Sequence, residues 1–152
     1  MRARVVALAA LAAVALAAGC GGGGDGGGDR LTAEEFVEQA DAICADANEQ
    51  LDALGEPETI EDFAGMAGEA LAISEQSLES LRELSPPEEL ETQFDRALEL
   101  LQQQNDLGQE LVAAAEDGDQ AQIEALLAEG EPLDEEADQI AADLGLTECG
   151  GE

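Results

Sequence analysis

A chain of 152 residues has room for one domain around a single core, and this one sets 37 acidic residues against five basic ones, a net charge of −32. The basic residues are all arginines (Arg2, Arg4, Arg30, Arg82 and Arg96), too few to assemble the basic surface that phosphate binding needs, which speaks against nucleic acid as a partner. With no His, Lys, Trp or Tyr, the chain lacks imidazole acid–base groups, Schiff-base lysines, Ser–His and Cys–His nucleophiles and His-ligated metal sites, so carboxylates alone remain as candidate acids or bases.

The chain opens on "MRARVVALAALAAVALAAGC", in which Arg2 and Arg4 precede an unbroken apolar run from Val5 to Ala18. Those 14 residues fall short of the roughly 20 a spanning helix needs and match the apolar region of a signal peptide. The border "LAAGC" resembles the lipobox of bacterial lipoproteins, whose cysteine receives diacylglycerol and becomes the new N-terminus; here that cysteine is Cys20. The lipobox prefers Leu three residues before the cysteine, whereas this chain has Ala17 there and Leu16 one place earlier. Ordinary secretion with an incidental Cys20, and a retained N-terminal anchor, stay open beside it. Residues 1–19 thus read as a signal peptide and 20–30 as a lipidated cysteine with a glycine-rich tether. About ten such residues give roughly 16–19 Å of r.m.s. reach. Cleavage before Cys20 leaves three arginines against the 37 acidic residues, a net charge of −34.

Residues 31–152 read as an acidic all-α domain. The first helix opens at "TAEE", where Thr32 caps and Glu35 completes a capping box, and Phe36, Ala40, Ile43, Ala47, Leu51 and Leu54 make its apolar stripe before Gly55 and Pro57 stop it. The second opens at Thr59 and carries Ile60, Ala64, Ala67, Leu71, Ser74, Leu78 and Leu81, ending at "SPP". Pro87 is expected as the first residue of helix three, with Leu90, Phe94, Ala97, Leu101, Gly108, Leu111 and Ala115 facing inward. Gln104 and Asn105 interrupt that stripe and are assigned to its wet margin. "EDGD" makes the third turn, with Asp119 capping a fourth helix whose face is Ile123, Leu126, Leu127, Leu133, Ala137, Ile140, Ala141 and Leu144. Gly130 and Pro132 are expected to kink or split it. No strand pattern occurs. Four helices joined by short turns predict an up-down-up-down four-helix bundle, expected to be a monomer, with an Ala- and Leu-rich core that buries little area per residue.

Beyond Cys20 only Cys44 and Cys149 remain. An exported chain meets an oxidising compartment, so a Cys44–Cys149 disulfide is expected between helix one and the tail after helix four; two unpaired buried thiols are the alternative. Redox catalysis is set aside, since there is no CxxC and no Lys or His to lower a thiol pKa.

The stretches "ADAICADANEQLDAL", "LSPPEELE", "AAAEDGDQAQIEALL" and "ADLGLTECG" are similar to a broad set of small helical lipoproteins from high-GC Gram-positive bacteria. The resemblance runs from Phe36 to Gly150, and its cysteine pair maps onto Cys44 and Cys149. It implies an exported helical bundle and no particular activity. The Gly130–Pro132 interruption departs from its unbroken fourth helix.

Other patterns lead nowhere. The helix–turn–helix in "AAAEDGDQAQIEALLAEG" lacks the period and turn of an ankyrin repeat, and "EDGD" and "DEEAD" lack the spaced oxygen ligands of a calcium loop. Glycoside hydrolysis by paired carboxylates calls for sugar-stacking aromatics that only Phe36, Phe63 and Phe94 are present to supply. No catalytic residue, cofactor or metal is therefore assigned. The expected function is a lipid-anchored binding or scaffolding module on the extracytoplasmic face of the cell membrane, with the membrane and another envelope protein as partners. An acidic surface or cation-buffering structural protein is the alternative, and a salt-adapted surface remains a second explanation of the charge.

Overall fold

A computed structural model describes residues 30–150, apart from the side chains of Ile60 and Glu61. The expected signal peptide, Cys20 and the tether up to residue 29 lie outside the described residues. Within them the protein is a four-helix bundle without strands: α1 (Ala33–Leu54), α2 (Ile60–Arg82), α3 (Glu88–Glu116) and α4 (Gln120–Leu144).

Each helix begins where a side chain can replace a missing backbone partner. Thr32 Oγ1 accepts from the Glu35 backbone N–H while the Glu35 carboxylate accepts from the Thr32 N–H, the reciprocal capping box expected. The Thr32 backbone N–H, and then its hydroxyl, hold the Glu35 carboxyl below the usual carboxylate range. Thr59 and Asp119 cap α2 and α4 by accepting from Asp62 N and Gln122 N. Pro87 stands one place earlier than predicted: it is the N-cap of α3, extended at ψ 151°, and offers no side-chain cap. Gly55, Gly118 and Gly145 reverse the chain after α1, α3 and α4 at φ of 75°, 69° and 79°, values that cost an L side chain strain and glycine little.

The chain enters α1 strapped to the α2–α3 turn. Leu31 N–H donates to Ser85 O at 2.8 Å, and Arg30 donates to Pro86 O and to both Glu91 carboxylate oxygens. The other two arginines among the described residues also bridge helices: Arg96 of α3 pairs with Glu136 of α4 at 2.8 Å, and Arg82 of α2 donates to Gln102 of α3.

The core comes in two parts. Around the expected cysteine pair, Phe36, Ala40, Leu81, Phe94, Ala141, Leu144 and Leu146 form one buried cluster, with Phe36 and Phe94 meeting edge to face at 4.9 Å between ring centroids. A second cluster joins Ala114, Ala115, Ile123 and Leu126, with Phe63, Ala64, Leu107 and Leu111 packed against it.

Four expectations are corrected here. The fourth helix is neither split nor ended by Gly130 and Pro132 but runs unbroken through them. Pro132 and Ala128 are exposed, so the Ala128 carbonyl, deprived of its N–H partner, faces water and loses little. Leu51 and Leu127, assigned to inward stripes, are exposed, at 37% and 52%. Leu100, absent from the predicted stripe, is wholly buried. Asn105 is buried too, against its expected place at a wet margin. The last two share a cause: α3 packs on both α2 and α4, so its buried arc is wider than a single stripe.

Candidate functional site

The expected cysteine pair is brought together. Cys44 and Cys149 form a disulfide with Cα atoms 5.0 Å apart, closing a sequence separation of 105 residues. The tail makes this bond by climbing along α1 after the Gly145 reversal. Leu146 is buried beneath the core, Thr147 N–H, Thr147 Oγ1 and Glu148 N–H all donate to the Asp41 carboxylate at 2.9–3.0 Å, and Asn48 Nδ2 donates to Glu148 O at 2.8 Å. No displacement of α4 at Pro132 is needed. Cys20, the remaining assigned residue, lies outside the described residues.

A second feature was not assigned from the sequence. Between the two core clusters the four helices leave an apolar groove of about 480 Å³. Small residues line the groove where larger ones would fill it: Ala67 and Ala70 on α2 and Gly108 on α3. A Cβ at Gly108 would lie 3.1 Å from Leu71 Cδ1, so the two helices approach closely there. Leu51, Leu54 and Leu127 contribute the rim from α1 and α4, and Phe63 and Met66 the wall. The two leucines that depart from their predicted burial thus lie on one concave surface.

Polar atoms are few in this lining and their arrangement is asymmetric. Asn105 is 3% exposed, and its Oδ1 accepts from Ser74 Oγ at 2.6 Å. Its Nδ2 is buried with no hydrogen-bond partner. The short contact fits O–H···O rather than N–H···O geometry, which assigns the oxygen to Ser74 and turns the nitrogen's two N–H donors elsewhere. A buried amide left without an acceptor costs about 1–3 kcal/mol, so this is an expensive residue to hold in an alanine- and leucine-lined wall. The signal in the sequence was the polar break at Gln104 and Asn105. Reading it as a wet margin missed that α2 covers one of the two: Gln104 is half-buried and reaches Asp134 of α4, whereas Asn105 is enclosed beside Ser74.

Among the described residues no three or more His, Cys, Asp or Glu side chains gather as metal ligands, and no helix is long and apolar enough to cross a membrane. No protein-family model, curated protein or solved structure matches this chain.

Proposed function

We propose that the chain is an exported lipoprotein, similar in kind to the small helical lipoproteins of high-GC Gram-positive bacteria, that works as a binding or scaffolding module without catalysis. In this reading residues 1–19 are removed, Cys20 carries the lipid, 20–30 form the tether, and an up-down-up-down bundle over 31–152 stands on the extracytoplasmic face of the cell membrane. The observation that carries it is the Cys44–Cys149 disulfide, a bond that forms and persists in oxidising compartments and is rare in a reducing cytosol. Turns of five, five and three residues support the alternating topology, as does a cystine cluster that draws on the early residues of α1 and α3 and the late residues of α2 and α4. The apolar groove supports binding rather than chemistry, since its polar lining has no nucleophile beside a base.

Metabolic labelling with a fatty acid tests the anchor. Cys20→Ser is expected to abolish labelling and leave the unprocessed precursor; unchanged labelling would refute lipidation. Capture from an envelope extract tests the module. A saturable, stoichiometric partner supports it, and retention that follows only cation charge replaces it with cation buffering.

A further inference from the structure

We infer that the second half of α1, residues 45–54, is a lid that pivots at the Cys44–Cys149 bond and closes the groove by carrying Leu51 and Leu54 onto Leu127 of α4. Below the cystine α1 is fixed: Phe36, Ala40 and Cys44 are buried in the core, and the tail grips Asp41, Cys44 and Asn48. Above it the helix is held by little. None of residues 45–54 is buried, and beyond Asn48 the side-chain hydrogen bonds of α1 among the described residues reduce to those of Gln50 with Asp46, inside the same helix. The main packing partner of α1 is α2 and that of α4 is α3, and the groove is bordered by both outer helices. At its far end the lid runs into Gly55, at φ 75° with no atom within 4 Å of where a Cβ would stand, and then into a link over residues 55–59 that is exposed throughout.

The apolar surface sets the direction of movement. Leu51 and Leu127 are the two exposed large hydrophobic side chains among the described residues, and both line this one groove, together with Ala67, Ala70 and Gly108. Closure takes both leucines out of water and fills space that the small residues leave, so burial of apolar surface drives it. The movement is small. Leu54 stands about 15 Å along the helix axis from Cys44, so a bend of about 15° carries it about 4 Å. That is under the roughly 20° beyond which a helix needs a proline, a glycine or a bulge to bend. Like charge opposes closure, since α1 and α4 carry acidic residues and no basic ones, and salt therefore favours it. Closure abolishes the groove, so anything the groove binds meets the open state alone, and the lid sets what fraction of the protein is competent.

Methyl relaxation dispersion on the full-length, oxidised chain in lipid nanodiscs, labelled at leucine, tests the lid on the μs–ms scale of such helix movements. Leu51, Leu54 and Leu127 are expected to share one exchange rate, while Leu81 and Leu144 of the cystine cluster show no exchange. The closed population is expected to rise about twofold or more as ionic strength goes from about 0.01 to 0.15 M. Ala67→Leu, which puts a larger side chain on the groove wall, is expected to abolish the shared exchange. Leu127→Ala at the exposed rim is expected to lower the closed population at Leu51 and Leu54 about threefold.

The lid is overturned if Leu51 shows no dispersion, or if Leu51 and Leu54 exchange without Leu127, which is the fraying of a helix end. It is also overturned by exchange that survives Ala67→Leu in the folded protein, or by a closed population that does not rise with salt. Should Ala67→Leu fail to fold, the shared rate in the unsubstituted chain and the Leu127→Ala comparison decide. Each of these results leaves the module reading in place, because capture of a partner from envelope extract is measured separately.

Discussion

Reduction of the Cys44–Cys149 disulfide is expected to cost the protein a large part of its stability, because the bond closes most of the folded chain into one loop. With a sequence separation of 105 residues, the loss of loop-closure entropy in the unfolded state amounts to about 4.8 kcal/mol. A domain of this length unfolds with an entropy of about 0.25 kcal/mol/K, so the full effect corresponds to a fall in Tm of about 19 °C. The tail lowers that ceiling. Once the bond is cut, Leu146 to Cys149 hold their place only through the Asp41 and Asn48 hydrogen bonds and the burial of Leu146, and any fraying there returns entropy to the reduced native state. The expected fall is therefore about 10–20 °C, read by far-UV circular dichroism with and without a phosphine reductant, with Cys44→Ser plus Cys149→Ser as the thiol-free control. A shift below about 3 °C in both comparisons would refute the reasoning. It would mean that the unfolded chain is already compact, or that the native tail contributes nothing to the bundle.

The same tail gives a second prediction: Asp41→Ala removes the acceptor of three hydrogen bonds and is expected to cost about 1–2 kcal/mol in urea unfolding, more once the disulfide is reduced. Equal losses in the two redox states would show that the clamp and the bond act on different things. Phe36→Ala, at a wholly buried position edge to face with Phe94, is expected to cost about 3–5 kcal/mol, whereas Leu127→Ala should cost less than about 1 kcal/mol; comparable losses would contradict the placement of the core. Raising ionic strength from about 0.01 to 0.15 M shortens the screening length from about 30 to 8 Å and should raise Tm, since the charge is overwhelmingly of one sign. An unchanged or falling Tm would locate the repulsion in the unfolded state instead. Glu35 is expected to titrate below the usual carboxylate range by NMR. Because its folded pKa is depressed, its share of α1 stability is present above the ordinary carboxylate range and is lost as pH falls through its own lower midpoint. A Glu35 midpoint within or above the usual carboxylate range would mean that the capping box is open in solution.

Much of this fold is local chemistry, and local chemistry is legible in a chain. Thr32 with Glu35, Thr59 and Asp119 announce helix starts because a short side-chain oxygen is needed where backbone N–H groups have no partner. Gly55, Gly118 and Gly145 mark reversals because few other residues reach positive φ without strain. The four helices, their approximate limits and the inward places of Phe36, Phe94 and Ala141 follow from spacing alone. The pairing of Cys44 with Cys149 followed from counting, since two cysteines beyond Cys20 leave one combination.

What spacing could not determine is how wide an arc of each helix the neighbours cover. Periodicity locates one apolar face, but α3 touches α2 on one side and α4 on the other, so Leu100 and Asn105 are enclosed by partners remote in sequence. The converse holds at Leu51 and Leu127: both line a groove shared with Ala67, Ala70 and Gly108, whose small side chains leave it unfilled, and both stay exposed. Pro132 completes the set, since its effect depends on whether the carbonyl it orphans meets water or core, and its exposure on α4 decided that. Hydrogen-bonding needs at caps and turns are met within three or four residues of chain; the satisfaction of the Asn105 amide and the size of the space beside it depend on side chains contributed by other helices, and only their packing decides both.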